Sequence, residues 1–169
     1  MKLLPRVLAG LLLFLCFTCE APENRKTVVL RALDDFYPSE HPDYVPFYQH
    51  GDKEALAIDA AKYKDRFALV QTIFAGAKDE YRVEITTLGE TDGESTYELF
   101  VDNEPQGKVT NAPTQKDYAP QVHSFGTFKL QPGQMLSIAF NSASNDKIPE
   151  GDGFAYARGR WTQLRLIPE

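Results

Sequence analysis

The stretch "DEYRVEITTLGETDGESTYELFVDNEPQGKVT", residues 79–110, decides the fold. Its first segment places Tyr81, Val83 and Ile85 on one face and Arg82, Glu84 and Thr86 on the other. Successive side chains of a strand point to opposite faces, so a period of two marks a half-buried strand. "LGETDGES" (88–95), with Gly93 following Asp92, reads as a turn. "TYELFVD" resumes the alternation with Tyr97, Leu99 and Val101 inward, and "NEPQG" (103–107) reads as a second turn.

The plan repeats on both sides. Downstream, "HSFGTFKL", "PGQ" and "MLSIAFN" give strand, turn, strand, and "RWTQLRLIP" closes the chain. Upstream, "TVVLRAL" (27–33) and "EALAID" (54–59) read as strands, and "DRFALVQTIFA" (65–75) is apolar enough for a central one. Between them, "DDFYPSEHPDYVPFYQHGD" (34–52) has three prolines, five aromatics and no period; it reads as a long loop packed by its rings. The one place for a short helix is near 59–66. Short alternating strands about ten residues apart, separated by Gly, Pro and Asn turns, predict an all-β antiparallel sandwich. The expected organisation is one domain: a strand and long loop in 22–53, then a jelly roll in 54–169.

Residues 1–21 read as a leader. Lys2 and Arg6 precede an apolar run shorter than the ~20 residues a membrane span needs, which is the pattern of a secretory signal. Cys19 is an alternative lipidation point. The expected location is outside the cytoplasm: secreted, periplasmic, or held at the surface as a lipoprotein. Both cysteines, Cys16 and Cys19, fall in this leader, so the exported domain is expected to fold without a disulfide. Setting aside Lys2, Arg6 and Glu20 leaves 16 basic and 23 acidic residues, a net charge of −7. That balance disfavours nucleic acid and anionic lipid as partners, and leaves a lipid anchor as the route to a membrane.

The order of elements resembles that of family 6-like carbohydrate-binding modules. "ALAIDAAKY" is similar to their opening "I-E-A-E-x-Y" strand, and 79–110 to their "Y-x-V" strand, turn and "x-L-x-V-D-G-x-x-x-G" segment. "FGTFKLQPGQMLSIAF" is similar to their "V-x-L-x-x-G-x-H-x-L-x-L" hairpin, and "RGRWTQLRL" stands where their last strand lies. The resemblance covers about 54–167 and implies a jelly roll that binds glycans through loops at one end, typically with an aromatic pair and an Asn. Those loops would be 111–118, 141–152 and 160–161. It also implies a structural calcium held by the second acid of "E-A-E"; here Asp59 takes the first acid position and Ala61 the second.

The stretch "IPEGDGFAYARGRW" (148–161) concentrates the side chains such a site needs. A sugar ring offers an apolar face to an aromatic ring and a rim of hydroxyls to polar groups. With Leu164 and Leu166 inward, alternation turns Trp161 outward beside Gln163 and Arg165; a bulge at Gly159 would instead send it into the core. Arg158 and Arg160 can take a carboxylate or sulfate of an acidic glycan, or pair internally with Glu150 and Asp152. Tyr118, on a Pro-stiffened loop, is the second stacking candidate, with Asn145 and Asp152 as polar contacts. Asp146, Glu150 and Asp152 can ligate calcium through oxygens or form a plain acidic turn; no cofactor is required. His41 and His50 would make a metal site only by converging with an acid such as Asp43 or Asp52.

Three functions follow. The first is a non-catalytic polysaccharide-binding protein, acting alone or beside a polysaccharide-degrading enzyme. The second is a small lyase or glycoside hydrolase, with His123 or Tyr118 as base beside an Arg. The third is a structural or adhesive envelope protein presenting a broad apolar patch. No G-x-S-x-G and no phosphate loop is present.

Overall fold

The computed structural model describes residues 25–169; the leader assigned to 1–21 lies outside them. Thirteen strands follow in chain order: β1 (Val28–Arg31), β2 (Tyr37–Pro38), β3 (Phe47–His50), β4 (Ala55–Ile58), β5 (Phe67–Ile73), β6 (Asp79–Gly89), β7 (Thr96–Val101), β8 (Glu104–Thr110), β9 (Ala119–Leu130), β10 (Met135–Asn141), β11 (Pro149–Glu150), β12 (Gly153–Phe154) and β13 (Trp161–Pro168). One helical turn, α1 (Ala32–Asp35), follows β1, and a 3-10 turn, Gly51–Lys53, follows β3.

Two antiparallel sheets face each other. One runs β3-β4-β13-β6-β9, with β1 also on β13; the other runs β2-β5-β10-β7-β8. Tyr81, Val83 and Ile85 from β6, Tyr97, Leu99 and Val101 from β7, Leu136, Ile138 and Phe140 from β10, and Leu164 and Leu166 from β13 are all buried in one core. Alternation placed the residues of β6 and β7, and Leu164 and Leu166 of β13, on the inner face. Most of the strands expected from pattern alone recur within a few residues.

Three local expectations are corrected. "NEPQG" is not a turn: Asp102 and Asn103, both at positive φ, make a tight two-residue hairpin, and Glu104 already begins β8. The long loop 34–52 contains β3, which pairs with β4 from Phe47↔Ile58 to His50↔Ala55 and brings Tyr48 and His50 to the sheet edge. No helix forms over 59–66. The chain turns there instead, with Asp65 at φ 54.

The fourth correction concerns Trp161. β13 pairs with β6 as Trp161↔Thr87 and then Gln163↔Thr86, so Thr162 is an extra residue in the strand. A bulge of this kind shifts the alternation by one position. Trp161 therefore joins Leu164 and Leu166 on the inner face and is completely buried. Its ring meets Phe36 edge-on at 5.0 Å and Phe140 at 6.2 Å. It fills the core and offers nothing to solvent.

Candidate functional site

Four segments meet at one end of the sandwich: the β3 edge with its 3-10 turn, the 90–95 turn, the 111–118 loop and the 141–160 loop. Close backbone packing holds them. Gly93 lies so near the carbonyl of Ala143 that a Cβ there would stand 1.8 Å from the oxygen. Ala143 in turn bridges Ala157. Gly159 adopts φ +61, which glycine enters without steric cost, and this turns the chain into β13.

Glu90 organises the centre. Its carboxylate accepts from the Arg158 amide at 3.0 Å and forms an ion pair with the guanidinium of Arg160. Glu90 is 6% exposed and Arg160 4%. Burial pushes the Glu90 carboxyl above its ordinary value, against the opposing pull of Arg160 and the Arg158 amide. The rest of the Arg160 guanidinium is also occupied. Its Nε donates to His50 Nδ1 at 3.0 Å and one Nη donates to the Tyr48 hydroxyl at 3.4 Å. Its carbonyl accepts from the Tyr97 hydroxyl at 3.0 Å. Desolvation, then the neighbouring Arg160 charge, lowers the His50 pKa and favours the neutral acceptor this geometry needs.

Tyr118 stands over this hub. Its ring centroid lies 5.1 Å from the Arg160 guanidinium carbon, 4.3 Å from Lys53 Nζ and 6.1 Å from the His50 ring. It sits at φ 61 and remains 38% exposed. The preceding residue pins the loop: Asp117 Oδ1 accepts from both the amide and the hydroxyl of Thr91, each at 2.8 Å. Beside it, Arg158 extends outward and donates to the Tyr48 hydroxyl at 3.1 Å. The result is a platform of exposed Tyr118 and Arg158 and half-buried Tyr48 and Lys53 on a buried ionic base.

The structure thus brings Arg158, Arg160 and Tyr118 together and leaves out the rest of the expected set. Trp161 lies beneath, in the core. Asp152 occupies the tip of the small β11–β12 hairpin and makes no ion pair with either arginine among the described residues; Glu90 takes that role. Asn145 is consumed by the scaffold. It donates to the Thr91 carbonyl at 3.1 Å and to Glu94 at 3.3 Å, and accepts from the Lys147 amide at 3.2 Å.

Among the described residues no group of three or more His, Cys, Asp or Glu side chains is placed to hold a metal, so Asp146, Glu150 and Asp152 are not brought together. At the calcium position implied by the resemblance, Ala61 offers no side-chain oxygen, and Asp59, at the first acid position, pairs with Lys62 at 3.1 Å. These residues do not fit a calcium site. His41 and His50 do not converge either: His41 packs on Tyr44, and His50 serves Arg160. His123 bonds Asn111 at 3.1 Å inside a polar network with Thr87 and Tyr97.

Sequence reading missed Glu90, Tyr48, His50 and Lys53 as parts of this site. Glu90 lay in a stretch read as a turn, and the other three in or next to a loop without period. The alternation of Tyr48 and His50 around Gln49 was the available signal.

No family model matches this chain. An uncharacterized protein of Formosa agariphila is 30% identical over 130 residues; the match covers 75% of this chain and 29% of that protein. The chain therefore spans under a third of the length of that relative. Three solved structures share its architecture. The first is a family 36 carbohydrate-binding domain of a multidomain xylanase from the hindgut metagenome of Trinervitermes trinervoides (TM-score 0.51, 10% identity, 85% of this chain and 98% of that one). The second is the C-terminal family 6 module of the marine laminarinase LamC from Zobellia galactanivorans (TM-score 0.50, 11% identity, 84% and 99%). The third is a family 35 module from Clostridium thermocellum (TM-score 0.50, 9% identity, 85% and 99%). With its two antiparallel sheets and loop-built end, the chain has the β-sandwich fold of family 6-like carbohydrate-binding modules.

Proposed function

We propose that this domain is a non-catalytic polysaccharide-binding protein whose ligand lies on the loop-end platform of Tyr118, Tyr48, Arg158 and Lys53. The observation that carries the reading is the presentation of Tyr118: a partly exposed ring, held at positive φ by the Asp117–Thr91 bonds and backed by Arg160. A sugar seated on the exposed part of the ring would displace or hydrogen-bond Lys53, while Arg158 reaches its rim. The shared fold with carbohydrate-binding modules supports glycan as the ligand class. Arg160 acts as a positioning residue, since its nitrogens already serve Glu90, His50 and Tyr48.

We also propose that residues 1–21 act as an export leader, so that the domain is secreted, periplasmic or lipid-anchored through Cys19 and there serves a polysaccharide-degrading partner. Membrane fractionation of the parent and of Cys19→Ser separates anchor from signal peptide.

The test of binding is affinity electrophoresis and calorimetry of the 22–169 domain against laminarin, xylan and polygalacturonate, with sugar release assayed in parallel. Tyr118→Ala should leave the melting temperature within a few degrees of the parent and weaken binding about tenfold, since one such stack contributes ~1–2 kcal/mol. Unchanged binding by Tyr118→Ala places the ligand elsewhere, and sugar release by the parent domain favours the enzymatic reading.

A further inference from the structure

Arg160 cannot deliver its charge to a ligand. It is 4% exposed and neutralised by Glu90. Three other cations at this end stand differently. Lys53 Nζ lies 4.3 Å from the centroid of the Tyr118 ring, Arg158 donates to the Tyr48 hydroxyl at 3.1 Å, and Lys64 Nζ lies 5.2 Å from the centroid of the Tyr156 ring. None of the three meets a carboxylate within 4.0 Å among the described residues, a state they share with other cations such as Lys116 and Lys147. What distinguishes them is that each is set against a tyrosine.

The pairs adjoin one another. Arg160 touches the Tyr118 ring and shares the Tyr48 hydroxyl with Arg158, which joins the first pair to the second. Tyr156 lies two residues before Arg158 on the same segment, anchored by its hydroxyl to Asp65 at 3.2 Å. The arrangement is therefore a row of tyrosine–cation pairs, drawn from the 3-10 turn after β3, the base of the 141–160 loop and the 59–66 turn.

Resting on the platform reading above, we propose that the ligand is an anionic polysaccharide, and that Lys53, Arg158 and Lys64 read carboxylate or sulfate groups on successive sugars while Tyr118, Tyr48 and Tyr156 take the rings. A neutral glycan needs aromatic faces and hydroxyl partners, which Asn, Gln and acids supply as well as cations do. Three cations each held beside a tyrosine ring or hydroxyl, with no carboxylate neutralising them, present their charge next to where a sugar would stack, which suits an oxyanion on that sugar. A guanidinium binds one bidentately through its planar fork, and an ammonium serves as a compact point charge. The domain as a whole carries a net charge of −7 after the leader, so long-range attraction does not favour such a polymer. Recognition must then come from these local contacts.

The experiment uses matched polymers with and without their charge: polygalacturonate and its carboxyl-reduced form, κ-carrageenan and its desulfated form, and laminarin as a neutral glucan. At least one native anionic polymer should bind about tenfold more tightly than its neutralised form, and which one does so separates carboxylate from sulfate. Lys53→Gln and Arg158→Gln should each weaken binding of that polymer about threefold to tenfold without moving the melting temperature, with Lys64→Gln smaller, and should narrow the difference between the native polymer and its neutralised form. Equal affinity for the native and neutralised forms of both polymers overturns the inference and leaves the platform standing, as does binding of laminarin alone. Binding of no polymer in the set, or charge-dependent binding that survives Tyr118→Ala, Lys53→Gln and Arg158→Gln, overturns the platform itself.

Discussion

Glu90 and Arg160, 70 residues apart in the chain, form an ion pair shielded from water on nearly every side. Removing water from two opposite charges is costly, and their attraction offsets the cost only when the remaining donors and acceptors are satisfied. Here they are: the Arg158 amide completes the carboxylate, and His50 and Tyr48 complete the guanidinium. The pair acts less as a source of stability than as a clamp, joining β3, the 90–95 turn and the start of β13 beneath Tyr118.

Breaking one side of the clamp should therefore be worse than removing both. Arg160→Ala strands a buried carboxylate and should destabilise the domain by about 3–5 kcal/mol. The double variant Glu90→Leu/Arg160→Met should lose clearly less. Urea denaturation of the two proteins checks this. A double variant at least as unstable as Arg160→Ala would mean that the pair contributes net stability.

Trp161 should behave as a core residue. Trp161→Ala removes a fully buried ring between Phe36 and Phe140 and should cost ~3–5 kcal/mol. Trp161→Phe should cost much less, because the indole N–H has no hydrogen-bond partner to lose. Guanidinium denaturation of both variants decides it; near-parental stability of Trp161→Ala would show that the ring is not packed in the core.

Two glycines with the same backbone angle should respond differently to alanine. Gly151 and Gly159 have φ +60 and +61. At Gly151 a Cβ meets nothing within 4 Å, so Gly151→Ala should cost only the ~1–2 kcal/mol of the left-handed conformation. At Gly159 it would stand 2.4 Å from the Asn141 carbonyl oxygen, so Gly159→Ala should cost markedly more and disturb the approach to Arg160. Equal melting temperatures for the two variants would contradict the close approach.

His50 should make the domain sensitive to mild acid. Its pKa is lowered in the folded state by desolvation and by Arg160. As pH falls through the ordinary histidine value of about 6.5, the unfolded chain takes up a proton that the folded protein resists. Stability present above that value is then lost on the way down to the folded pKa. His123, lowered by desolvation, acts in the same direction. Glu90 and Asp92, both raised mainly by desolvation, act in the opposite one. The difference between parent and His50→Gln isolates His50: the urea midpoint should fall less in the variant between pH 7.5 and pH 5.5. An identical fall in both would rule out the contribution.

Much of the sandwich was legible in the chain. The residue pairs that build the core, Tyr81 with Val83 and Tyr97 with Leu99, declare themselves by period-two spacing, a local property of extended backbone. The start of β10 was marked by the "PGQ" turn before it. β3 was hidden because it is only four residues long and lies in a stretch whose three prolines and scattered rings carry no period; it exists because β4 supplies hydrogen-bond partners along it.

What the sequence determined by itself was the fold class, the inner faces of the main strands, and the neighbourhood of Arg158, Arg160 and Tyr118 as the place where costly side chains gather. What only the tertiary structure decided was the direction of Trp161 and the partners of those arginines. Trp161 turns inward because one extra residue in β13 shifts its phase against β6, and a register depends on both strands. Arg160 pairs with Glu90 instead of Asp152 because charges choose partners by distance in space, and that distance is set by loops closing from 70 residues away.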